Sequence, residues 1–167
     1  MLVQDPMKVE AALNIKDPRI RSGVNYHVIA LNLVEPYQTE KKFRHALGLL
    51  EGRLDHLFLC HGVIKEESII DTNMLEWDNT MNLNVRASLQ ISSLAVPFLK
   101  ITKGTITVLS SNAGEAPHPG SIIFSTSMAM LNMFVKTTAL ETSFHGVRVN
   151  AVAPGVTITA ARMKKDS

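Results

Sequence analysis

Short apolar runs alternate along this chain with longer segments of helical periodicity, and this alternation constrains the fold more than any other feature. The clearest runs of strand length are Leu54–Cys60, Thr105–Leu109 and Val147–Val152. Helical periods separate them, and the longest covers Ile122–Phe144. Repeated strand–helix alternation predicts an α/β fold with a Rossmann-like, doubly wound parallel sheet.

The first half of the chain shows the same pattern. Tyr26–Leu33 predicts a strand that ends at Glu35-Pro36. Thr39 is the predicted cap of the following helix, and Gly52 is expected to stop it. The residues before this strand predict little beyond a possible helix over Met7–Ile15.

The central strand and the helix after it have clear local signals. Leu54–Cys60 is apolar enough to be a parallel strand that is buried on both faces. Asn73, followed three residues later by Glu76, is typical of a capping pair at a helix start. That helix is expected to run to about Leu99, with Pro97 bending or ending it.

Composition excludes several classes of function. Apolar residues make up 46% and charged residues 19% of 167 residues, with a net charge of +2, which is typical of one globular domain. Cys60 is the only cysteine, so no internal disulfide forms, and no metal-ligand spacing is present. No basic stripe or membrane-length apolar run occurs. The sequence predicts a soluble cytoplasmic protein without nucleic-acid or membrane partners, with a domain over 25–160 between a poorly defined segment (1–24) and a polar tail (161–167).

The distribution of glycine argues against a complete dinucleotide-binding sheet. Such a sheet begins with a strand and a Gly-rich turn, which leads into a helix N-terminus that binds the pyrophosphate. No glycine precedes Gly23, and the pair Gly48 and Gly52 does not follow a strand. The sequence therefore predicts that this first strand and its turn are missing, which would leave Tyr26–Leu33 and Leu54–Cys60 either paired directly or with an exposed edge.

Three segments of the C-terminal half occur in a characteristic order. They are Gly104–Gly114 (GTITVLSSNAG), Phe124–Met128 (FSTSM) and Val147–Gly155 (VRVNAVAPG). Together they resemble the short-chain dehydrogenase/reductase family, whose members transfer hydride between NAD(P)(H) and an alcohol or carbonyl. In that family the middle segment reads Tyr-x-x-x-Lys, whereas this chain has Phe124 and Met128 at those two positions.

The resemblance implies two further catalytic positions. Ser111 lies thirteen positions before Phe124 and matches the serine that orients the substrate. Asn84 matches the asparagine that holds a water molecule in a proton relay. A local alternative exists for Ser111, because a serine at a strand end often binds nearby backbone groups.

The same resemblance implies a set of cofactor-binding positions for NAD or NADP. Asn32 occupies the place of an aspartate that binds adenine, and Cys60-His61-Gly62 occupies a turn at the end of a central strand. Pro154 and Gly155 match the turn beside the nicotinamide, and Thr159 matches a threonine that binds the carboxamide.

The two replaced residues predict an impaired or inactive enzyme. A tyrosine delivers a proton near neutrality only when a neighbouring ammonium lowers its pKa from about 10. Phe124 lacks the hydroxyl, Met128 lacks the charge, and the loss of a positioned acid costs about 10²–10⁴ in rate. His61 and His118 are the remaining groups nearby that could carry a proton near neutrality.

Several interpretations remain open at this point. The chain could be part of an active reductase with a longer reading frame, acting on a small alcohol or carbonyl compound. It could also be a non-catalytic subunit that dimerises with an intact relative. By resemblance, a homo- or hetero-oligomer would form through the helices over 73–99 and 122–144, and Met128, Met130 and Met133 are expected to be packing residues.

Overall fold

The structure, a computed structural model, describes residues 2–3, 27–116 and 118–157. The predicted helix Met7–Ile15, Tyr26, Thr159 and the predicted tail lie outside these residues. The strands and helices, in chain order, are β1 (Leu2–Val3), β2 (Ile29–Ala30), α1 (Pro36–Leu49), β3 (His56–Leu59), α2 (Met74–Thr80), a π-helical turn (Met81–Arg86), α3 (Ala87–Thr102), β4 (Thr105–Leu109), α4 (Ile122–Thr142) and β5 (Arg148–Val152).

All described strand pairs are parallel. Strands β3, β4 and β5 form one sheet in that order, with His56 beside Thr105 and Thr105 beside Arg148. Strands β1 and β2 form a separate pair. Each neighbouring pair in the larger sheet is joined through a helix, as parallel strands require. The predicted Rossmann-like α/β fold with a parallel sheet is confirmed.

The helices cover one face of the three-stranded sheet. Along β3 and β4, Leu59, Ile106 and Val108 are buried, whereas the intervening Phe58 is 65% exposed. Successive side chains of a strand point to opposite faces, so the face that no described helix covers carries Phe58 together with its neighbours in register, Thr107 and Asn150. The prediction that Leu54–Cys60 is buried on both faces is therefore wrong, because connections that all step in the same direction across a sheet place their helices on the same side.

The hydrophobic core lies between the sheet and this helical layer. It unites residues from α1, α3, α4 and all three strands of the larger sheet: Phe43, Leu59, Ile91, Ala95, Leu99, Ile106, Val108, Met128, Leu131, Val135, Val147 and Val149. Phe43 brings α1 into this cluster, so the segment after β2 shares the core of the main sheet.

The start of α1 differs from the sequence prediction. Glu35 is the N-cap, and Pro36 occupies the first helical turn instead of ending the segment before it. A proline fits there because its missing N–H would have no partner at a helix start. Thr39 lies inside the helix, where its hydroxyl donates to the Glu35 carbonyl at 3.0 Å. The predicted stop is confirmed, since Gly52 has a positive φ of 77° and its N–H bonds the Leu47 carbonyl.

The long helix after β3 is partly as predicted. Asn73 caps α2, with its side-chain oxygen accepting from the N–H of Leu75 at 2.9 Å. Glu76 does not complete a capping box, because its carboxylate binds Lys65 at 3.2 Å. Pro97 does not end the helix, which continues to Thr102. A proline removes one helical hydrogen bond, and the packing of Ala95 and Leu99 in the core holds the helix together across it.

A polar clamp fixes the β2–α1 connection to α3. The Arg86 guanidinium donates to the Leu33 carbonyl at 2.5 Å and to the Gln90 side chain at 2.7 Å. Gln90 in turn donates to the Pro36 carbonyl at 2.7 Å. Within the described residues β3 pairs only with β4, so β2 and β3 do not pair directly, and this clamp and the packing of α1 join the two parts.

Candidate functional site

The predicted site residues of the C-terminal half meet at the carboxyl ends of the strands. The chain leaves β4 at Ser110, whose N–H bonds the Val152 carbonyl, and Asn112 bonds the Pro154 carbonyl at 3.0 Å. These two bonds place Ser111 beside the turn that contains Pro154 and Gly155. Ligand sites of open α/β sheets occur at this edge.

Asn84 is the centre of a buried polar network. Its side chain is 0% exposed and bonds both backbone groups of Val63, accepting from the N–H at 2.9 Å and donating to the carbonyl at 3.0 Å. It also donates to the Ser127 hydroxyl at 3.0 Å. Asn84 thereby ties the loop after β3 to α4 and satisfies its own buried amide.

The helix around Asn84 has π geometry over Met81–Arg86, which the sequence did not reveal. Single π turns inside α-helices frequently mark functional positions. Gly62 lies against this turn, because a Cβ at Gly62 would lie 3.3 Å from the Asn84 Oδ1 atom. Gly62 has no positive φ, so a glycine suits this position because it permits close approach to Asn84, and not because of a left-handed backbone.

Phe124 and Met128 lie on the first turns of α4, close to this network. The Ser127 hydroxyl donates to the Phe124 carbonyl at 2.7 Å and so accepts the Asn84 amide. Phe124 is half-buried against the core. Met128 is 4% exposed and is a member of the core, so an apolar side chain fills the place where the family pattern has an ammonium. Met130 and Met133 are exposed, so packing explains only Met128 of the three methionines.

Ser111 is engaged with its own backbone. Its Oγ accepts from the Ala113 N–H at 3.2 Å and so caps the short 3₁₀ turn Asn112–Gly114. This is the local arrangement that the sequence left open beside the substrate-orienting role. Gly114 permits the turn to approach α4, because a Cβ there would lie 2.7 Å from the Met128 carbonyl carbon.

His61 joins the same network through a residue that the sequence analysis missed. The Ser88 hydroxyl donates to the Asn84 carbonyl at 2.8 Å and lies 3.1 Å from the His61 Nε2 atom. Burial lowers the pKa of His61, and a hydrogen bond with the Leu83 backbone opposes this shift. Ser88 lies four residues after Asn84 on one helix face, which is the signal that could have identified it. His118 is exposed in the turn before α4.

A lysine in the loop after β3 is bound by two carboxylates. Lys65 Nζ lies 3.2 Å from Glu76 and 3.3 Å from Glu67. Hydrogen bonds with Glu76 and then Glu67 raise the pKa of Lys65, so it stays protonated. The Glu67 carbonyl accepts from the Ile122 N–H, which places this loop at the start of α4. The two carboxylates neutralise the ammonium, so Lys65 does not replace the missing cation.

The residues present fit only part of a dinucleotide. Asn32 is exposed, and its Oδ1 accepts from the Val34 N–H at 3.2 Å, which leaves its amide hydrogens for a ligand. Cys60 is exposed at the end of β3. A Cβ atom added at Gly155 would lie 3.5 Å from the Asn112 side chain. The given sequence offers no Gly-rich turn, so these residues supply no cluster of backbone N–H groups for the diphosphate at the centre of the cofactor.

Two other kinds of site are absent from the described residues. No group of three or more His, Cys, Asp or Glu side chains is placed to bind a metal ion there. No described helix is both long and apolar enough to cross a membrane.

Comparison with known proteins gives one family. The family model described as short chain dehydrogenase matches residues 3–167. Among curated proteins, glycine betaine reductase ATRR of Emericella nidulans is 31% identical over 91% of this chain and 12% of its own length. The 3-oxoacyl-(acyl-carrier-protein) reductase FabG of Aquifex aeolicus is 28% identical over 80% of this chain and 54% of its own length. The chain thus spans about half, or less, of these relatives.

Solved structures show the same fold at lower identity. The structure titled ElxO with NADP bound has a TM-score of 0.84 and 21% identity, covering 98% of this chain and 65% of that chain. A tyrosine-to-phenylalanine variant of ElxO with NADPH bound has a TM-score of 0.83 and 22% identity over 98% of this chain and 65% of that chain. The chain therefore shares the fold of about two thirds of each of these proteins.

Proposed function

We propose, from the premise that the chain belongs to the short-chain dehydrogenase family, that it carries an oxidoreductase scaffold whose catalytic proton source is lost. The family activity would be NAD(P)(H)-dependent conversion of a small alcohol or carbonyl compound. Ser111 would orient the substrate, and Asn84 would organise the site through its network. Turnover in this chain would be impaired or absent.

The observation that carries this proposal is the replacement of both acid/base groups, at the two positions where the family pattern has tyrosine and lysine. Phe124 has no proton to donate, and Met128 is packed into the core at 4% exposure. When hydride adds to a carbonyl carbon, the oxygen becomes negatively charged and needs a proton or an electrostatic partner. His61 is an inadequate substitute, because burial disfavours its charged form and its Nε2 atom already contacts Ser88.

Cofactor binding is a separate part of the proposal. We expect NAD or NADP to bind weakly, because no Gly-rich turn supplies N–H groups to the diphosphate. In the ElxO variant, NADPH is bound although a tyrosine has been replaced by phenylalanine. Loss of a tyrosine hydroxyl and loss of cofactor affinity are thus independent defects, and they need separate measurements.

The direct test measures oxidation of NADH and NADPH by a panel of aldehydes and ketones, alongside calorimetric titration with both cofactors. We expect little or no turnover and weak heats of binding. The double variant Phe124→Tyr/Met128→Lys tests the cause, and Phe134→Tyr is a matched control on the same helix. A kcat of about 1–10³ s⁻¹ for the unmodified chain, normal for enzymes, would contradict the proposal.

A second candidate function is that of an interaction subunit. The helices over 73–99 and 122–144 carry exposed apolar side chains, which are unusual in such number on a monomer: Met74, Leu75, Leu89, Met130, Met133, Leu140 and Phe144. These helices would associate with a second copy or with an intact relative. A cytoplasmic location remains a prediction from the sequence and is tested by cell fractionation.

Light scattering tests this association. The charged variant Met133→Glu/Leu140→Glu is expected to lower the average mass, because the charges would be buried in a helical interface. The variant Thr137→Glu/Lys136→Gln changes the charge of the same helix by the same amount. It tests association less directly, because it replaces polar residues and not the exposed apolar ones. A mass that Met133→Glu/Leu140→Glu leaves unchanged argues against association through these helices.

A further inference from the structure

We propose that two surfaces at opposite edges of the sheet bind each other, so that copies of the chain associate head to tail. One surface, the acidic end, is residues 63–78, which follow β3. The other, the basic end, is residues 100–104 and 141–148, which connect α3 to β4 and α4 to β5. The association considered above would use the outer faces of the helices, whereas this one uses the edges of the sheet, and it holds whether or not the chain has enzymatic activity.

The two ends lie at opposite edges of the sheet because β3, β4 and β5 are parallel. The acidic end follows the carboxyl end of β3, whereas the basic end enters β4 and β5 at their amino ends. Strand β4 has 5 residues, so a rise of about 3.3 Å per residue separates the two edges by roughly 17 Å. All three connections are described without a gap, so both surfaces consist of residues from the interior of the sequence.

A turn in the acidic end presents two isoleucines to water. The Asp71 N–H bonds the Ser68 carbonyl at 3.2 Å, and the Ser68 hydroxyl donates to the Asp71 carboxylate at 2.6 Å. Ile69 and Ile70, at the two central positions of the turn, are 73% and 90% exposed. Turns favour Gly, Pro, Asn, Asp and Ser, so turn formation does not explain an isoleucine pair. The hydrogen bonds hold this pair in place, which lowers the entropic cost of binding through it.

Negative charge surrounds these isoleucines. The acidic end contains five carboxylates and one lysine. That lysine, Lys65, binds Glu67 and Glu76. Asp71 and Asp78 are exposed and form no ion pair with another described residue. This charge would repel an anionic membrane surface, so the acidic end suits a partner surface that combines apolar and basic side chains.

The basic end of the same chain has this combination. It exposes three basic and two large apolar side chains: Lys100, Lys103, Arg148, Ile101 and Phe144. Ile101 is 79% exposed, which is unusual for an isoleucine on a helix that otherwise contributes to the core. Glu141 is the only carboxylate in these two connections, so the basic end has a net positive charge.

The two connections that form the basic end are in contact with each other. The Arg148 N–H bonds the Gly104 carbonyl at 3.1 Å. A Cβ added at Gly146 would lie 3.2 Å from the Lys103 Cγ atom, so the lysine side chain lies over this glycine. The basic and apolar side chains of both connections therefore belong to one surface.

Opposite charges at the two ends favour a heterologous interface. Two acidic ends repel each other, and so do two basic ends, which disfavours a twofold interface built from either end alone. Contact between the acidic end of one copy and the basic end of the next pairs opposite charges and covers the exposed isoleucines. Each such pair leaves one free end of each kind, so association continues beyond a dimer.

Mixing two variants tests this pairing. Ile69→Ser/Ile70→Ser disables the acidic end, and Lys100→Glu/Lys103→Glu disables the basic end. Sedimentation velocity should show that the average mass of the unmodified chain rises with concentration, and that each variant alone has a dissociation constant at least about tenfold higher. An equimolar mixture should have a higher average mass than either variant, because the intact basic end of the first binds the intact acidic end of the second.

The mixture separates this pairing from association through the helical faces. Those faces are the same in both variants, so they cannot raise the mass on mixing. Leu49→Ser/Leu50→Ser replaces two adjacent exposed leucines at the end of α1, and Lys41→Glu/Lys42→Glu reverses two charges on α1. Both controls should associate like the unmodified chain, and circular dichroism checks that every variant folds. A mixture no heavier than its separate components, or an unmodified chain whose mass does not rise with concentration, overturns the proposal.

Discussion

Single side chains determine what this site is able to do chemically. The change from an ammonium to Met128 does more than remove a charge, because the methionine is buried among core residues and stabilises α4 against the sheet. Ser111 and His61 remain at the site, but Ser111 is bound to the Ala113 N–H and His61 lies against Ser88. The polar side chains that remain at the site, Ser111 and His61, are therefore engaged in hydrogen bonds within the protein.

His61 predicts how stability depends on pH. Its pKa in the folded chain lies below the ordinary value of 6.5, because burial disfavours the charged form. As the pH falls below about 6.5, the unfolded chain takes up this proton before the folded chain does. The free energy of unfolding should thus decrease from pH 6.5 toward the lower pKa of the folded chain, and should be unaffected by this group above that window.

Urea denaturation at a series of pH values measures this effect. The variant His61→Gln should lose part of the acid-side decrease, whereas His145→Gln, at an exposed position after α4, should retain it. Equal pH dependence of both variants would show that His61 does not contribute.

At the scale of elements, close packing between the 3₁₀ turn, the π turn and α4 builds the site. The loop after β3 is attached to the π turn through Asn84, and the π turn is attached to α4 through Ser127. The 3₁₀ turn approaches α4 at Gly114. The relative positions of these segments, which are distant in the sequence, thus depend on a few contacts.

Gly114 tests the packing of the 3₁₀ turn. In Gly114→Ala, the new Cβ would lie 2.7 Å and 2.8 Å from backbone atoms of Met128 and Ala129, which cannot move without shifting α4. We expect a loss of about 1–3 kcal/mol in the free energy of unfolding. Gly48→Ala is the matched control, because nothing lies within 4 Å of its Cβ and alanine favours a helix by about 1 kcal/mol. Similar denaturation midpoints for the two variants would contradict this account.

Asn84 tests the buried network. The variant Asn84→Ala leaves the N–H and carbonyl of Val63 without their partners, which should cost about 1–3 kcal/mol. The exposed Asn79→Ala should change stability by less than about 0.5 kcal/mol. Chemical denaturation compares the two, and a cost for Asn84→Ala as small as that of the control would show that the network is not stabilising.

At the scale of the whole molecule, the described helices cover one face of the sheet and leave the other uncovered. Phe58 lies on the face that no described helix covers and is 65% exposed, whereas Phe43 of α1 packs into the core. The chain spans about half the length of FabG of Aquifex aeolicus. An exposed aromatic ring on a sheet face favours association or aggregation.

Phe58 and Phe43 give a prediction about the difference between the two faces of the sheet. Phe58→Ser should change the free energy of unfolding little and should raise solubility, because the ring is already in contact with water. Phe43→Ala should cost about 3–5 kcal/mol, since it leaves a cavity in the core. Thermal denaturation and turbidity on concentration measure both effects. A large loss of stability in Phe58→Ser would show that the face is covered.

The sequence alone determined the order and type of the strands and α-helices from β2 onward, the absence of a Gly-rich turn, and the replacements at Phe124 and Met128. These features are local, because periodicity, turn residues and residue identity can be read without knowing which elements touch. Only the tertiary structure decided that Phe58 of β3 is exposed, that Asn84 lies in a π turn bonded to Ser127, and that Ser88 contacts His61. Burial and hydrogen-bond partners depend on contacts between segments far apart in the chain, and one sequence does not specify those contacts by local pattern.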